Sequence, residues 1–312
     1  MSNLVKVAIV QAGPVYLDLA QSMEKAVSLI KEAAGMGAGL IAFGETWLPG
    51  YPAWLDYCPG AALWDNPATK TVFARLRHNS VVVPGPQTET LSQLAKTLGI
   101  VIVMGVNERV ETGLGSGTLY NTLLTFGSAG QLLNHHRKLV PTYTERLVWG
   151  PGDGFGLTAA ETPVGRVGSL VCWEHWMPLT RQTLHQSAEQ IHVAAWPGVK
   201  EMHQIASRHY AFEGRCFVLA AGLVMTAKEL PDEFELPPEL AQAPDTLLLN
   251  GGSAIIGPDG RYLAGPVFGK ETTLTAELDL TEIEHERMTL DTTGHYYRPD
   301  VFEFRVKRHR PE

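Results

Sequence analysis

Three residues of this 312-residue chain stand where strand-like apolar runs stop. The run from Leu40 ends in the carboxylate of Glu45, the run from Leu132 in the ammonium of Lys138, and the run from Val167 in the thiol of Cys172. In sheets covered on both faces, ligands bind beyond the carboxyl ends of the strands. A carboxylate, an ammonium and a thiol gathered at such an edge make a nucleophilic site. The thiol attacks, the carboxylate carries its proton, and the ammonium stabilises the anion that develops.

Each residue also has a plainer reading. A lone cysteine is ordinarily a buried, inert one. Cys172, however, lies between an apolar strand and a helix start, where the positive helix end favours thiolate. It is followed by Trp173 and the polar pair Glu174 and His175, which a core strand does not need. Cys58, in a Tyr-Cys-Pro-Gly turn, and Cys216, in an apolar run, read as structural. A surface carboxylate is the ordinary reading of Glu45, but its neighbours are Trp47, Leu48, Pro49 and Tyr51. Desolvation there raises a carboxyl pKa toward neutrality, which suits a proton carrier. Lys138 ends the basic run His135-His136-Arg137-Lys138, ordinarily a solvated strand end; the alternative is one ammonium turned inward. Glu145, one loop later, is placed to hold Lys138 or a water. HExxH, P-loop and GxSxG patterns are absent. The glycines at 113, 115 and 117, and at 150 to 156, do not form GxGxxG and read as loops.

Alternating elements must position these groups. Strands are expected at Val5–Val10, Leu40–Phe43, Ile100–Val106, Leu119–Phe126, Val167–Val171, Ile191–Ala195, Cys216–Leu223, Gly252–Ile256, Tyr262–Leu263 and Thr272–Leu278. Helices are expected at Asp18–Ala34, Gln87–Leu98, from Pro178, and at Met202–Glu213. The strands are apolar without alternation, so both faces of each sheet are covered, and the chain is a layered α/β protein. The acidic, proline-rich stretch Lys228–Asp245 reads as a surface loop or a partner-contact insertion.

The net charge of −8 disfavours broad nucleic-acid or anionic-membrane binding. Three scattered cysteines without a CxxC pair disfavour a disulfide framework or zinc ribbon and fit a reducing, cytoplasmic setting. The N-terminus does not read as a signal peptide, and no apolar run reaches bilayer length. All seven tryptophans lie between Trp47 and Trp196, most of them near the candidate residues. Core packing is the ordinary reading for several. A pocket lined by Trp47, Tyr51, Trp54, Trp173, His175 and Trp196 would favour an uncharged or aryl substrate.

The segments FGETWLPGYP, HRKLVPTYTERLVWGPGDG and CWEHWMPLTR resemble the nitrilase superfamily of carbon–nitrogen hydrolases, whose Glu, Lys and Cys occur in that chain order. HVAAWPG from His192 and GHYYRPDVF from Gly294 are similar to segments of the true nitrilase branch. The resemblance runs from about Val5 to Phe302. It implies a four-layer α-β-β-α sandwich, with two mixed sheets packed face to face, and one domain over 1–312 with a short tail from about 303. It assigns catalysis to Glu45, Lys138 and Cys172 with Glu145 assisting, and implies neither metal nor organic cofactor. The implied partners are a small nitrile and further copies of the chain, as a homodimer or larger homo-oligomer. The implied reaction is hydrolysis of a nitrile, arylacetonitrile, arylaliphatic or medium aliphatic, to acid and ammonia. An amidase or carbamoylase, a cyanide dihydratase, and a non-catalytic binding protein on the same scaffold are the rivals.

Overall fold

The computed structural model describes residues 4–113 and 115–310. Its strands are β1 (Leu4–Gln11), β2 (Leu40–Phe43), β3 (Val101–Arg109), β4 (Leu119–Phe126), β5 (Leu132–Arg137), β6 (Ala160–Thr162), β7 (Gly165–Val171), β8 (Ile191–Ala195), β9 (Phe217–Ala221), β10 (Val224–Thr226), β11 (Leu247–Ile256), β12 (Tyr262–Phe268) and β13 (Thr272–Asp279). Its helices are α1 (Leu19–Gly35), α2 (Trp54–Tyr57), α3 (Pro67–His78), α4 (Pro86–Leu98), α5 (Pro178–Gln186), α6 (Glu201–Gly214), α7 (Pro238–Gln242) and α8 (Glu282–Arg287).

Two mixed sheets result. One runs β13-β1-β2-β3-β4-β5; the other runs β10-β11-β9-β8-β7-β6, with β12 also on β11. In the first, Val7 and Ile9 of β1 and Leu40 and Ala42 of β2 join an apolar cluster with Val171, Val193 and Leu219 of the second sheet. Ala8, Val10, Ile41 and Phe43 point the other way, into a cluster with Ala26 and Ile30 of α1 and Leu91 of α4. This is why these strands are apolar throughout: each residue is covered, whichever way it points. Helix α6 covers the outer face of the second sheet through Ala206, Tyr210 and Ala211. The four-layer sandwich expected from the sequence is the architecture found.

Local chemistry sets the element ends. Asp18 caps α1 by accepting from the Gln21 amide at 2.9 Å. Gly99 ends α4 in the left-handed region, at φ 67°. Helix α3 has no counterpart among the expected elements; Val72 and Leu76 are its buried residues, with Ala68 and Phe73 partly buried beside them. Its start signals are nevertheless present, an Asn66 cap followed by Pro67. The stretch Lys228–Asp245 folds back on the chain. Leu230 and Phe234 are buried, and Phe234 stacks on Trp54 at 5.8 Å between ring centroids. Among the described residues, no helix is long and apolar enough to cross a membrane.

Strand direction places the candidate residues. β2 is parallel to β3, β3 antiparallel to β4, and β4 antiparallel to β5. The carboxyl ends of β2 and β5 therefore share one edge, and they lead into Glu45 and Lys138. Cys172 follows β7 of the facing sheet.

Candidate active site

Glu45 sits in the loop after β2, laid across β3. Gly105 of β3 permits this, since a Cβ there would strike the Gly44 carbonyl and the Thr46 amide. The Glu45 amide donates to the Trp196 carbonyl at 3.2 Å, which fastens the loop to the end of β8. Lys138 is held by its own amide, which donates to the Asn121 carbonyl on β4 at 2.8 Å. Its side chain turns inward and is about 1% exposed. The Lys138 ammonium donates to Glu45 Oε1 at 2.8 Å and to Glu145 Oε2 at 2.7 Å. Glu145 lies in a 3-10 turn, Tyr143–Leu147, and caps it by accepting from the Thr142 amide at 2.6 Å. Its other oxygen accepts from the Tyr51 hydroxyl at 3.0 Å.

Glu45 Oε1 also accepts from Asn121 Nδ2 at 2.6 Å, whereas Oε2 is buried without a hydrogen-bond partner. One oxygen is thus locked and the other is left free to take a proton. Burial raises the Glu45 carboxyl from 4.5 to about 7, against the attraction of Lys138 and with the repulsion of Glu145. Burial alone would lower Lys138, but Glu45, Cys172 and Glu145 outweigh it and hold the ammonium well above the usual lysine range. Burial, then Glu45, push the Cys172 thiol well above its ordinary value, although Lys138 opposes them. The raised value favours a neutral resting thiol, which would need a base before it could act as a nucleophile. This differs from the thiolate that a helix start alone would favour; burial, reinforced by the Glu45 and Glu145 carboxylates, reverses that expectation.

Cys172 begins a second 3-10 turn, Cys172–Trp176, with φ at 50°. Thr46, beside Glu45, and Tyr143, in the Glu145 turn, also have positive φ, 46° and 43°. Left-handed backbone in residues with a Cβ costs energy and persists only where the surroundings impose it. Glu174 joins two of the strand ends. It accepts from the Val171 amide beside Cys172 at 2.8 Å and from the Leu139 amide beside Lys138 at 2.9 Å. His136 of β5 lies 2.8 Å from the same carboxylate. Among the described residues, no group of three or more His, Cys, Asp and Glu is placed to hold a metal ion.

A family model described as Carbon-nitrogen hydrolase matches residues 6–287. The chain belongs to the carbon–nitrogen hydrolase family. It is 42% identical over 306 residues to "Nitrilase 2" of an unknown prokaryotic organism, covering 97% of this chain and 93% of that one. It is 40% identical over 303 residues to the "Aliphatic nitrilase" of Sinorhizobium fredii strain HH103, covering 96% and 95%. The crystal structure of a carbon–nitrogen hydrolase from Helicobacter pylori G27 superposes with a TM-score of 0.70 at 21% identity, covering 95% and 96%, and shares the fold.

Within this hydrolase framework the aromatic residues expected to line a pocket divide. Tyr51 reaches the charged group through its hydroxyl. Trp47 is fully buried, its indole N–H donating to the Ala12 carbonyl at 2.9 Å. Trp54 is fully buried and its indole nitrogen has no partner. Trp196 is buried with its N–H on Ser207 Oγ at 3.2 Å, while Trp173 is 53% exposed. His175 departs from the expectation of a substrate contact. Its Nδ1 is 2.7 Å from the Cys172 carbonyl and its Nε2 is 3.0 Å from His192 Nε2, so both nitrogens are occupied within the protein.

Two residues of the site escaped the sequence reading. Asn121 looks like one polar residue in an apolar strand, and only the pairing of β4 with β3, across which the Glu45 loop lies, brings it to Glu45. Trp149 lies 5.9 Å from the Lys138 ammonium, ring centroid to nitrogen, and is held by its N–H on Asn107 Oδ1 at 2.8 Å. Its place in the run of tryptophans was the available signal.

Proposed function

We propose that the protein is a nitrilase, hydrolysing an organic nitrile to a carboxylic acid and ammonia through Cys172. The observation that carries this reading is the buried group in which Lys138 donates to both Glu45 and Glu145, in a chain 40–42% identical to proteins named nitrilases. Glu45 Oε2 takes the thiol proton as sulfur attacks the nitrile carbon. The S–C bond forms, the C≡N bond becomes C=N, and the nitrogen takes up a proton to give a thioimidate. Lys138 and the backbone N–H of Trp173 stabilise the negative charge developing on the way. Glu45 then activates a water, the C–N bond breaks, ammonia leaves and a thioester remains. A second water releases the acid and restores the thiol. Glu145 holds Lys138. Tyr51 and the tryptophans around Glu45 support a preference for arylacetonitriles, arylaliphatic or medium aliphatic nitriles.

The working unit is a homodimer or larger homo-oligomer. Leu179, Met202, Ile205 and Phe212, on α5 and α6, are large apolar side chains left exposed beside the Cys172 turn, which supports pairing through that face.

The test is product analysis by mass spectrometry with ammonia assayed alongside, on phenylacetonitrile, an aliphatic dinitrile and the matching amides. Acid and ammonia from a nitrile, with the amides largely untouched, is the expected result. Turnover of amides alone would move the protein to the amidase branch.

A further inference from the structure

From the Cys172 carbonyl, through His175, runs a buried chain of polar side chains that the reaction above does not use and that makes no hydrogen bond to Glu45 or Lys138. It runs from His175 to His192 at 3.0 Å, and from His192 Nδ1 to Glu189 Oε2 at 2.8 Å. Glu189 Oε1 accepts from the Tyr210 hydroxyl at 2.5 Å and lies 3.2 Å from His185 Nδ1. His185 Nε2 reaches Glu213, which Arg181 grips at 2.6 Å near the surface. All but the last two residues are nearly inaccessible to water. The backbone makes room for the chain: a Cβ at Gly168 would overlap the Glu189 carboxylate, and one at Gly214 would overlap the His185 ring.

Hydrogen-bond chemistry fixes the first direction, and the second follows with His175 neutral. A carbonyl only accepts, so His175 Nδ1 carries its proton and donates to the Cys172 carbonyl. A neutral His175 then has a bare Nε2, which must accept from His192 Nε2–H. His192 also faces the Glu189 carboxylate with Nδ1, so the two hold one further proton between them. Burial and the His192 charge hold His175 well below its ordinary value, in keeping with a neutral ring. Burial would raise Glu189, yet His192 and His185 bring it down to about 2, so the carboxylate anchors the chain.

The consequence lies in one peptide unit. In a trans peptide the C=O and the following N–H point in opposite directions on a rigid plane. The carbonyl of Cys172 and the N–H of Trp173 are the two ends of one such plane. That N–H belongs to the start of a 3-10 turn, where amides have no acceptor within the helix. Grasping the carbonyl therefore aims the N–H away from His175, and the accepted hydrogen bond polarises it. We infer that His175 is a positioning residue, and that the Glu189–His192–His175 relay locks it in the tautomer that orients the Cys172–Trp173 peptide as an oxyanion-binding donor. This inference rests on the reading of Cys172 as nucleophile and of the Trp173 N–H as a charge-stabilising group.

The test separates oxyanion binding from simple integrity of the pocket. Phenylacetaldehyde and butanal add to the thiol and place an oxygen at the donor; 2-phenylethanol and butan-1-ol bind without an adduct. His175→Leu should weaken the better aldehyde and lower kcat/KM for the nitrile by about 100-fold, the loss typical of one oxyanion donor. The alcohols should bind within about threefold. His175→Asn, whose amide can donate to the same carbonyl, should recover all but about tenfold. A folded His175→Leu protein with unchanged aldehyde affinity, or one that loses alcohol binding equally, overturns the proposal. If His175→Leu does not fold, Glu189→Gln carries the test. It should weaken the aldehyde about tenfold in the wild-type background and have no effect beside His175→Asn, and equal effects in both overturn the relay. Nitrogen-15 spectra of the wild-type imidazoles add a readout that needs no ligand: His175 must be protonated at Nδ1 and bare at Nε2. Failure of the wild type to turn over any nitrile would refute the nitrilase reading without altering these results.

Discussion

Replacing Glu45 by Gln should abolish turnover and, above neutral pH, make the protein more stable. With Glu45 ionised, the buried group of Glu45, Lys138 and Glu145 carries one positive and two negative charges; with Gln it is neutral. Gln keeps the size and can still accept from Lys138 and Asn121. The folded protein raises the Glu45 carboxyl from 4.5 to about 7, chiefly by burial. A folded-state pKa above the unfolded one means the contribution to stability is full below about pH 4.5 and is lost as pH rises through about 7. The interval from 4.5 to about 7, at about 1.4 kcal/mol per tenfold in proton affinity, corresponds to about 3 kcal/mol. Glu45→Gln should therefore exceed the wild type by about 3 kcal/mol at pH 9 and by only about 1 kcal/mol at pH 5. For a chain of this length 3 kcal/mol is about 5 °C in Tm. The assay is paired urea and thermal unfolding of both proteins at pH 5, 7 and 9. A stability difference that does not change with pH, or a wild type that gains on the variant as pH rises, would refute the argument that the carboxylate is held against its preference.

The same carboxyl should appear in the kinetics: kcat/KM should fall below an acid limb near pH 7, and a profile flat down to pH 5 would remove Glu45 as the base. Cys172→Ala should abolish turnover and the covalent adduct seen by mass spectrometry while the circular dichroism stays native; full activity would sink the assignment. Lys138→Met should leave two carboxylates facing each other without a cation, costing about 3–5 kcal/mol at pH 8 in urea unfolding. Adding Glu145→Gln to Lys138→Met should return most of that stability and none of the activity. Tyr51→Phe strips the donor from Glu145 Oε1 and should lower stability by about 1–3 kcal/mol, as urea unfolding would measure, with Glu45, Lys138 and Cys172 left in place.

The residues with reactive side chains and most of the strands were legible in the amino-acid sequence. Runs such as Leu40–Phe43, Leu119–Phe126 and Ile191–Ala195 coincide with strands because periodicity and apolar character act over a few residues. Cys172 stood out through its neighbours for the same reason. Helix α3 was not read from the sequence, because charged and polar residues interrupt its core stripe of Ala68, Val72, Phe73 and Leu76. Nor was the fate of Lys228–Asp245, whose Phe234 acquires its meaning only against Trp54, far away in the chain. The apolar neighbours of Glu45 foretold its raised carboxyl, and the loop after Lys138 foretold Glu145 as its holder, but the partners across the sheet were beyond reach. Lys138 meets Glu45 across 93 positions of sequence, and Asn121 meets it across 76. His175 takes its tautomer from His192 and Glu189 behind it. Residue type and local period are properties of the chain, and a sequence carries them whole. Desolvation, charge pairing and the direction of a hydrogen bond belong to neighbours in space, and only the packing of the two sheets decides who those neighbours are.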